Sequence, residues 1–226
     1  MERDCDSISR VSRPKERARA FYDRISPVYD ILAGGAERRL LLEGLRLLDA
    51  GPGDDVLEIG FGTGRALVGL AETVGETGSV RGIDLSEKMG RVALKRLREA
   101  GLAGRVELRA GDAAVLPFED GSFDAAFIGF TLELFDSPEI PRVLSECVRV
   151  LRPSAKICVV SMSLPSRRGP ALRVYEAMHA LFPTAVDCRP IHAARSLAES
   201  GFEVVASRPA AMFRLPVDVT LALKGA

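Results

Sequence analysis

From Asp55 to Ser163 the chain alternates between two kinds of segment, and this alternation limits its fold more than any other feature. DVLEIG (55–60), SVRGIDL (79–85), RVELRAGD (105–112), SFDAAFIGF (122–130) and AKICVVSMS (155–163) are short runs rich in apolar and β-branched residues. Such runs read as strands, the more apolar of them buried on both faces. TGRALVGLAETVG (63–75), SEKMGRVALKRLREAG (86–101) and SPEIPRVLSECVRVLRP (137–153) space their apolar residues at helical intervals. Ser86 and Ser137 stand where N-caps belong, and Gly75, Gly101 and Arg152-Pro153 stand where helices stop. A further helix, IHAARSLAESG (191–201), precedes two last strands, FEVVASRPA (202–210) and VDVTLALKG (217–225). The pattern predicts an α/β fold: a doubly wound, mostly parallel seven-stranded sheet with helices on both faces. The last two strands are joined only by a short connection containing Pro216, so they should pair antiparallel at one edge.

Two regions stand outside the alternation. Residues 14–50 read as helical and precede the first strand. Residues 163–190 form an insert, with SLPSRRGP, then a helix around ALRVYEAMHALF, then PTAVDCRP. Both are expected over the carboxyl ends of the strands, where open α/β sheets place ligands. The domain reading is an N-terminal helical lid or cap over 1–50, and a ligand-binding domain over 51–226 with a substrate-side insert at about 163–190.

Composition narrows the partners. The 31 Lys and Arg balance 31 Asp and Glu, which speaks against a nucleic-acid partner held by bulk charge. A basic cluster near the N-terminus (Arg10, Arg13, Lys15, Arg17, Arg19) has acids interleaved and reads as a solvated helix face. The four cysteines include no CxxC pair, so no metal centre is expected, and Cys147 and Cys158 read as small buried hydrophobes. The opening MERDCDSISR is polar, and no apolar run approaches the roughly 20 residues of a membrane span. A soluble, cytoplasmic protein is expected, without a transmembrane segment and with room for peripheral membrane contact.

The loop VLEIGFGTGRAL (56–67) leads from the first strand into the first helix of the alternation. Its glycines let a ligand approach the backbone closely. A phosphate-binding P-loop needs GxxxxGK[ST], and no Lys follows here. A dinucleotide fingerprint is GxGxxG, whereas Gly60, Gly62 and Gly64 are spaced GxGxG and Arg65 stands at the third glycine's place. A ligand-free tight turn remains an alternative. Asp84, ending the second strand, can accept hydrogen bonds from both hydroxyls of a ribose. Asp112, ending the third, can accept from an adenine amino group, with Ala113 offering its backbone amide. A nucleoside without a pyrophosphate fits this set best.

The order VLEIGFGTG, GIDLS, GDAAVLPFEDGSFDAAF, LRP resembles the class I S-adenosylmethionine-dependent methyltransferases across residues 55–160. FYDRISPVYDIL (21–32) is also similar to the start of the ubiquinone/menaquinone biosynthesis C-methyltransferase group and its type 11 relatives. That group usually follows its YD pair with Met-Asn and later a His and a Trp, which YDILAGGAERRL lacks. It also carries a Pro-Gly-Gly turn where this chain has Pro153-Ser154-Ala155. The resemblance implies a Rossmann-like methyltransferase fold, S-adenosyl-L-methionine as cofactor and S-adenosyl-L-homocysteine as product. It implies that Gly60, Gly62 and Gly64 lie along the methionine part, with a hydroxyl contact from Thr63. Glu58 would steady the loop by accepting backbone hydrogen bonds, or hold the amino acid end through water. Asp84 would hold the ribose, Leu85 and Ala113 would flank the adenine, and Asp112 would bond its amino group. Gly129 and Phe130 would border the reacting methyl, and Tyr22 and Tyr29 would cover the cofactor, either of them equally readable as ordinary helix packing.

Methyl transfer from a sulfonium needs positioning and water exclusion, and a base only where the nucleophile must lose a proton. Glu133, in GFTLELF just past the fourth strand, is the candidate base; His179 and His192 read as structural. The insert mixes Met162, Leu164, Tyr175, Met178, Leu181 and Phe182 with Arg167, Arg168 and Arg173, which suits a small apolar or lipid-like acceptor, or a helix with one core face. Two other functions compete. A nicotinamide-dependent oxidoreductase calls for a Tyr-x-x-x-Lys, but His179 stands four residues after Tyr175. A non-catalytic nucleoside-binding module on the same fold is the other.

Overall fold

The computed structural model describes residues 11, 14–25, 29–165, 169–181 and 188–225, and of residues 25, 29–34 and 180–181 the backbone alone. Seven strands form one sheet in the order β3-β2-β1-β4-β5-β7-β6. They are β1 (Asp55–Ile59), β2 (Ser79–Asp84), β3 (Val106–Ala110), β4 (Phe123–Gly129), β5 (Leu151–Met162), β6 (Phe202–Met212) and β7 (Leu215–Lys224). The strands β3, β2, β1, β4 and β5 run parallel. β7 inserts antiparallel between β5 and β6, so the last two strands pair at one edge as their short connection requires.

The helices are α1 (Lys15–Ile25), α2 (Tyr29–Leu48), α3 (Arg65–Val74), α4 (Glu87–Glu99), α5 (Ile140–Val150), α6 (Pro170–Leu181) and α7 (Ala193–Glu199). Side-chain alternation along each strand sends residues to two cores. On β4, Ala125 and Phe127 join Leu40, Leu67 and Leu97 of α2, α3 and α4. Ala126 and Ile128 join Val143 and Leu197 of α5 and α7 on the other face. Cys158 and Cys147 are buried, one in each core, and burial pushes both thiols up to about 12.

The structure departs from the sequence reading at several points. The helix over 137–153 runs only from Ile140 to Val150, with Glu139 and not Ser137 at its N-cap, and Leu151 already belongs to β5, opposite Phe123. Arg152 precedes a proline and is steered out of the helical region. Its guanidinium ties Asp55 (3.1 Å) and Asp124 together at the far end of the sheet. Residues 14–50, expected over the strand ends, also divide. From Leu40 to Leu48, α2 lies on the sheet face. A Cβ on Gly44 would stand 2.6 Å from Val160 and 2.9 Å from Phe127, so the helix backbone touches the sheet there. α1 instead reaches the carboxyl ends of the strands. The insert leaves and rejoins the fold at one point: Ile191 donates to the Met162 carbonyl at 3.0 Å and Leu164 to the Ile191 carbonyl at 3.1 Å. Among the described residues no helix is long and apolar enough to cross a membrane.

Candidate functional site

The carboxyl ends of β1, β2, β3 and β4 open on one cavity of about 150 Å³, roofed by α1 and by Glu37 and Leu41 in the middle of α2. A parallel sheet forces this arrangement, because every strand delivers its last residue to the same edge. Glu58, Gly60, Gly62, Thr63, Asp84, Leu85, Asp112, Ala113, Gly129, Phe130 and Tyr22 all line it.

The three loop glycines serve different needs. Gly60 has φ +71°, and a Cβ there would meet Thr131 at 2.2 Å. Gly64 has φ +78°, and a Cβ there would meet Ala93 at 2.8 Å; it caps α3 from below and does not line the cavity. Gly62 has φ +50° and nothing within 4 Å of a Cβ, which would project into open space. Protein packing explains the first and the last. The middle glycine leaves room for something that is not protein.

Polar contacts hold this loop. Asp84 accepts from the Gly62 amide and the Ser86 amide, each at 2.8 Å. Burial raises the Asp84 pKa, and these two backbone donors oppose the rise. Thr131 donates to the carbonyls of Gly60 (3.2 Å) and Gly129 (3.0 Å), joining the ends of β1 and β4. Arg96 of α4 donates to the carbonyl of Thr63 at 2.6 Å and to its hydroxyl at 2.9 Å.

Glu58 does not take the first of its two expected roles. It is 3% exposed, its Oε2 has no hydrogen-bond partner, and it accepts no bond from the loop amides it was expected to steady. Burial first, and the Asp84 charge second, hold its pKa well above the ordinary 4.5. Phe130 takes φ +50°, unusual for an aromatic residue, and its amide donates to Val160 at 2.7 Å.

At the opposite end of the cavity, Asp112 accepts from the Ala114 amide at 3.0 Å and from Lys15 at 2.6 Å. Lys15 also pairs with Glu139 at 2.6 Å. Burial lowers the Lys15 pKa, but bonds to the two carboxylates outweigh it and leave the pKa raised. One and two helical turns on, Arg19 pairs with Glu87 (2.7 Å) and Asp23 accepts from the Ser86 hydroxyl (2.5 Å). Residues 15, 19 and 23 share one face of α1, as four-residue spacing dictates, and fasten it across the cavity.

Not every candidate reaches the cavity. Glu133 is fully buried in a 3-10 turn (Leu132–Leu134), where it accepts from the Met162 amide at 3.1 Å, and it does not line the wall. His179 on α6 and His192 before α7 do not line it either. The side chain of Tyr29 lies outside the described residues, as do Arg167, Arg168 and Phe182 and the side chain of Leu181. Among the described residues no cluster of His, Cys, Asp and Glu could hold a metal.

Comparison with known proteins fits this geometry. A family model described as a methyltransferase domain matches residues 56–154. A demethylmenaquinone methyltransferase of Lactobacillus johnsonii is 33% identical over 175 residues, 75% of this chain and 70% of the relative. The chain is a class I S-adenosylmethionine-dependent methyltransferase. A 2-phytyl-1,4-naphtoquinone methyltransferase of Synechococcus elongatus is 36% identical over 163 residues, 70% of the methyltransferase described here and 68% of that relative. Among solved structures, the [4+2]-cyclase SpnF superposes with a TM-score of 0.79 at 20% identity, covering 98% of this chain and 99% of its own. A SAM-dependent methyltransferase from Aquifex aeolicus gives 0.63 at 24% identity, covering 85% and 94%. Both show the shared fold.

Sequence reasoning missed several residues of the methyltransferase cavity: Lys15, Glu37, Arg65, Thr131 and Glu139. Thr131 had a signal, directly after the Gly129-Phe130 strand end. Lys15 and Glu139 had none, because they meet Asp112 only through the tertiary fold.

Proposed function

We propose that this methyltransferase moves the methyl group of S-adenosylmethionine onto a small, apolar, quinone-like acceptor, leaving S-adenosylhomocysteine. The observation that carries the acceptor is the likeness, above 30% identity, to enzymes named for demethylmenaquinone and 2-phytyl-1,4-naphtoquinone. The cavity fits the cofactor. Gly62 leaves open space beside the first strand, and Glu58 presents a buried carboxylate with an unsatisfied oxygen. Asp84 and Asp112 carry carboxylates at the ends of the next two strands.

In this reading Gly60 and Gly62 expose backbone to the methionyl part, and Thr63 stiffens the loop through Arg96. Asp84 receives the ribose hydroxyls, and its two backbone bonds fix the carboxylate's orientation for that task. Leu85 and Ala113 flank the adenine, and Asp112 accepts from its amino group. Gly129 and Phe130 border the reacting centre. Tyr22 covers it and offers an aromatic face to a cation. The bound cofactor supplies an electrophilic methyl on a sulfonium and a neutral thioether as leaving group. The chain supplies alignment and exclusion of water, the largest contributions such a displacement needs. Glu133 has no part in it, since its carboxylate is fully buried away from the cavity, one oxygen accepting from a backbone amide of β5.

Residues 1–50 act as a lid or cap chiefly through α1, over a cofactor domain of 51–226 with its acceptor-side insert at about 163–190. A cytoplasmic enzyme meeting its acceptor at a membrane surface belongs to the same proposal.

Two measurements test it. Calorimetry with S-adenosylmethionine, S-adenosylhomocysteine and NAD should show binding of the two sulfur nucleosides only. Labelled methyl from S-adenosylmethionine should appear on a reduced 2-prenyl-1,4-naphthoquinone presented in detergent micelles. Binding of S-adenosylhomocysteine with no label transferred would reject the quinone-like acceptor and leave the cofactor assignment standing.

A further inference from the structure

The β6–β7 hairpin turns through two residues, Phe213 and Arg214, between the paired Met212 and Leu215. Such a turn needs positive φ at both central positions and ordinarily takes Asn-Gly or Asp-Gly. Here Phe213 has φ +50° and Arg214 φ +68°. Both residues therefore hold a backbone conformation that L side chains disfavour. Packing does not offset the strain: Phe213 is 68% exposed, and Arg214 is exposed too. A strained turn that holds an aromatic ring out into solvent points to a contact made outside the chain.

Position and charge narrow the partner. β7 pairs antiparallel with β5, Val217 opposite Met162. The tip therefore stands beyond the carboxyl ends of the parallel strands, at the edge on which the cavity opens. Arg39 of α2 donates to the Ala211 carbonyl at 3.5 Å, and Glu37 and Leu41 of the same helix line the cavity. The tip and the cavity roof are thus neighbours. Arg38, Arg39 and Leu42 are exposed and, three and four residues apart, share one face of α2. Residues 207–216 hold two arginines and no acid. An exposed ring among guanidiniums complements an anionic surface over an apolar interior, where cations meet headgroup phosphates and the ring enters the acyl boundary.

We propose that the β6–β7 tip and the adjoining face of α2 dock the enzyme on an anionic lipid bilayer, with Phe213 in the lipid and Arg38, Arg39 and Arg214 on the headgroups. The choice of a membrane as partner rests on the apolar acceptor proposed above. Docking in this way brings the cavity roof to the phase in which such an acceptor dissolves.

The chain contains no Trp, so F213W places a single reporter at the tip. With vesicles of phosphatidylcholine and phosphatidylglycerol, its emission should shift to the blue and be quenched by lipids brominated on the acyl chain. Phosphatidylcholine alone at the same concentration should produce neither change. In sedimentation with the anionic vesicles, F213S should bind about 10- to 100-fold more weakly than wild type, the loss of one buried aromatic side chain. R38Q/R214Q should bind about 10- to 30-fold more weakly, and its residual binding should depend less on salt. F213N/R214G, which gives the turn its ordinary residues, should lose vesicle binding and gain about 2–8 °C in melting temperature. Every variant should keep wild-type affinity for S-adenosylhomocysteine. An unshifted F213W, or wild-type vesicle binding by F213S, would overturn the proposal. So would a blue shift without lipid that follows protein concentration, the sign of a second copy on this face. Vesicle binding is read without acceptor, so its absence leaves the quinone-like acceptor standing, and a failure of label transfer in micelles leaves vesicle binding unmoved.

Discussion

Gly60 and Gly62 sit two residues apart in one loop, yet alanine at each should fail for opposite reasons. Both have positive φ, so any Cβ costs about 1–2 kcal/mol of backbone strain. At Gly62 nothing lies within 4 Å of the new methyl. G62A should therefore lose only that strain, a fall in melting temperature of about 2–8 °C for a chain of this size. At Gly60 the methyl would stand 2.2 Å from Thr131. Thr131 is held by its bonds to the Gly60 and Gly129 carbonyls and cannot swing away without breaking them. Overpacking of that kind adds about 1–3 kcal/mol, so G60A should lose about 2–5 kcal/mol in all. Binding should reverse the contrast. The G62A methyl occupies the space proposed for the methionyl part and should weaken S-adenosylhomocysteine by more than about tenfold in a protein that still folds. Urea denaturation gives the first quantity and calorimetry the second. Wild-type affinity in G62A would refute the close approach of ligand to this loop. Equal stability of G60A and G62A would refute the packing role of Thr131.

Three further outcomes follow from the charges. E58Q should raise the melting temperature at pH 8. The folded pKa of Glu58 lies above its unfolded value near 4.5, so the native state loses stability as pH rises between the two, and glutamine removes that loss. The gain should vanish below about pH 4, where the carboxyl is protonated in both states, while S-adenosylhomocysteine binds E58Q more weakly at neutral pH. K15M should change stability by less than about 1 kcal/mol, since the pairs it breaks are a third exposed. Stopped-flow should nonetheless show faster release of S-adenosylhomocysteine, with less dependence on salt than in wild type; identical release kinetics would remove α1 as a lid. E133Q keeps an acceptor for the Met162 amide, so its folded fraction should retain turnover of the naphthoquinol. A drop of about 10²-fold or more, the scale of general-base catalysis, would restore Glu133 as the base.

The sheet was legible because its signals are local. A β-branched run, a glycine turn and an amphipathic stretch lie within some 20 residues, and a parallel sheet needs only their repetition. The end of α5 was misread for the opposite reason. Helical spacing continues through Val150 and Leu151, and what ends the helix is pairing of Leu151 with Phe123 together with the proline two residues on. α2 was misplaced because nothing in its sequence says which surface its apolar face meets. Gly44, which lets it touch Phe127 and Val160, looks like any helical glycine.

The same division runs through the site. Glu58, Asp84 and Asp112 stand at or just past the carboxyl ends of β1, β2 and β3, and a parallel sheet brings strand ends together without further information. Residues that meet this edge from elsewhere could not be placed. Lys15 reaches Asp112 across 97 positions, and Glu133 turns inward to an amide 29 positions away. The legible half is the strand-end half proposed to bind cofactor. Residues of α1 and α2 reach the cavity only through the tertiary fold, and no described residue of the insert lines it. SpnF, named for a [4+2] cyclisation, superposes on nearly the whole of this chain, so the shared scaffold does not fix what happens above the cofactor. Reaction identity therefore rests on sequence likeness, and Glu37 of α2, which lines the cavity away from the strand ends, is the position to probe for acceptor identity. Substitution of Glu37 should alter acceptor choice while leaving affinity for S-adenosylhomocysteine unchanged, whereas substitutions at Asp84 should do the reverse.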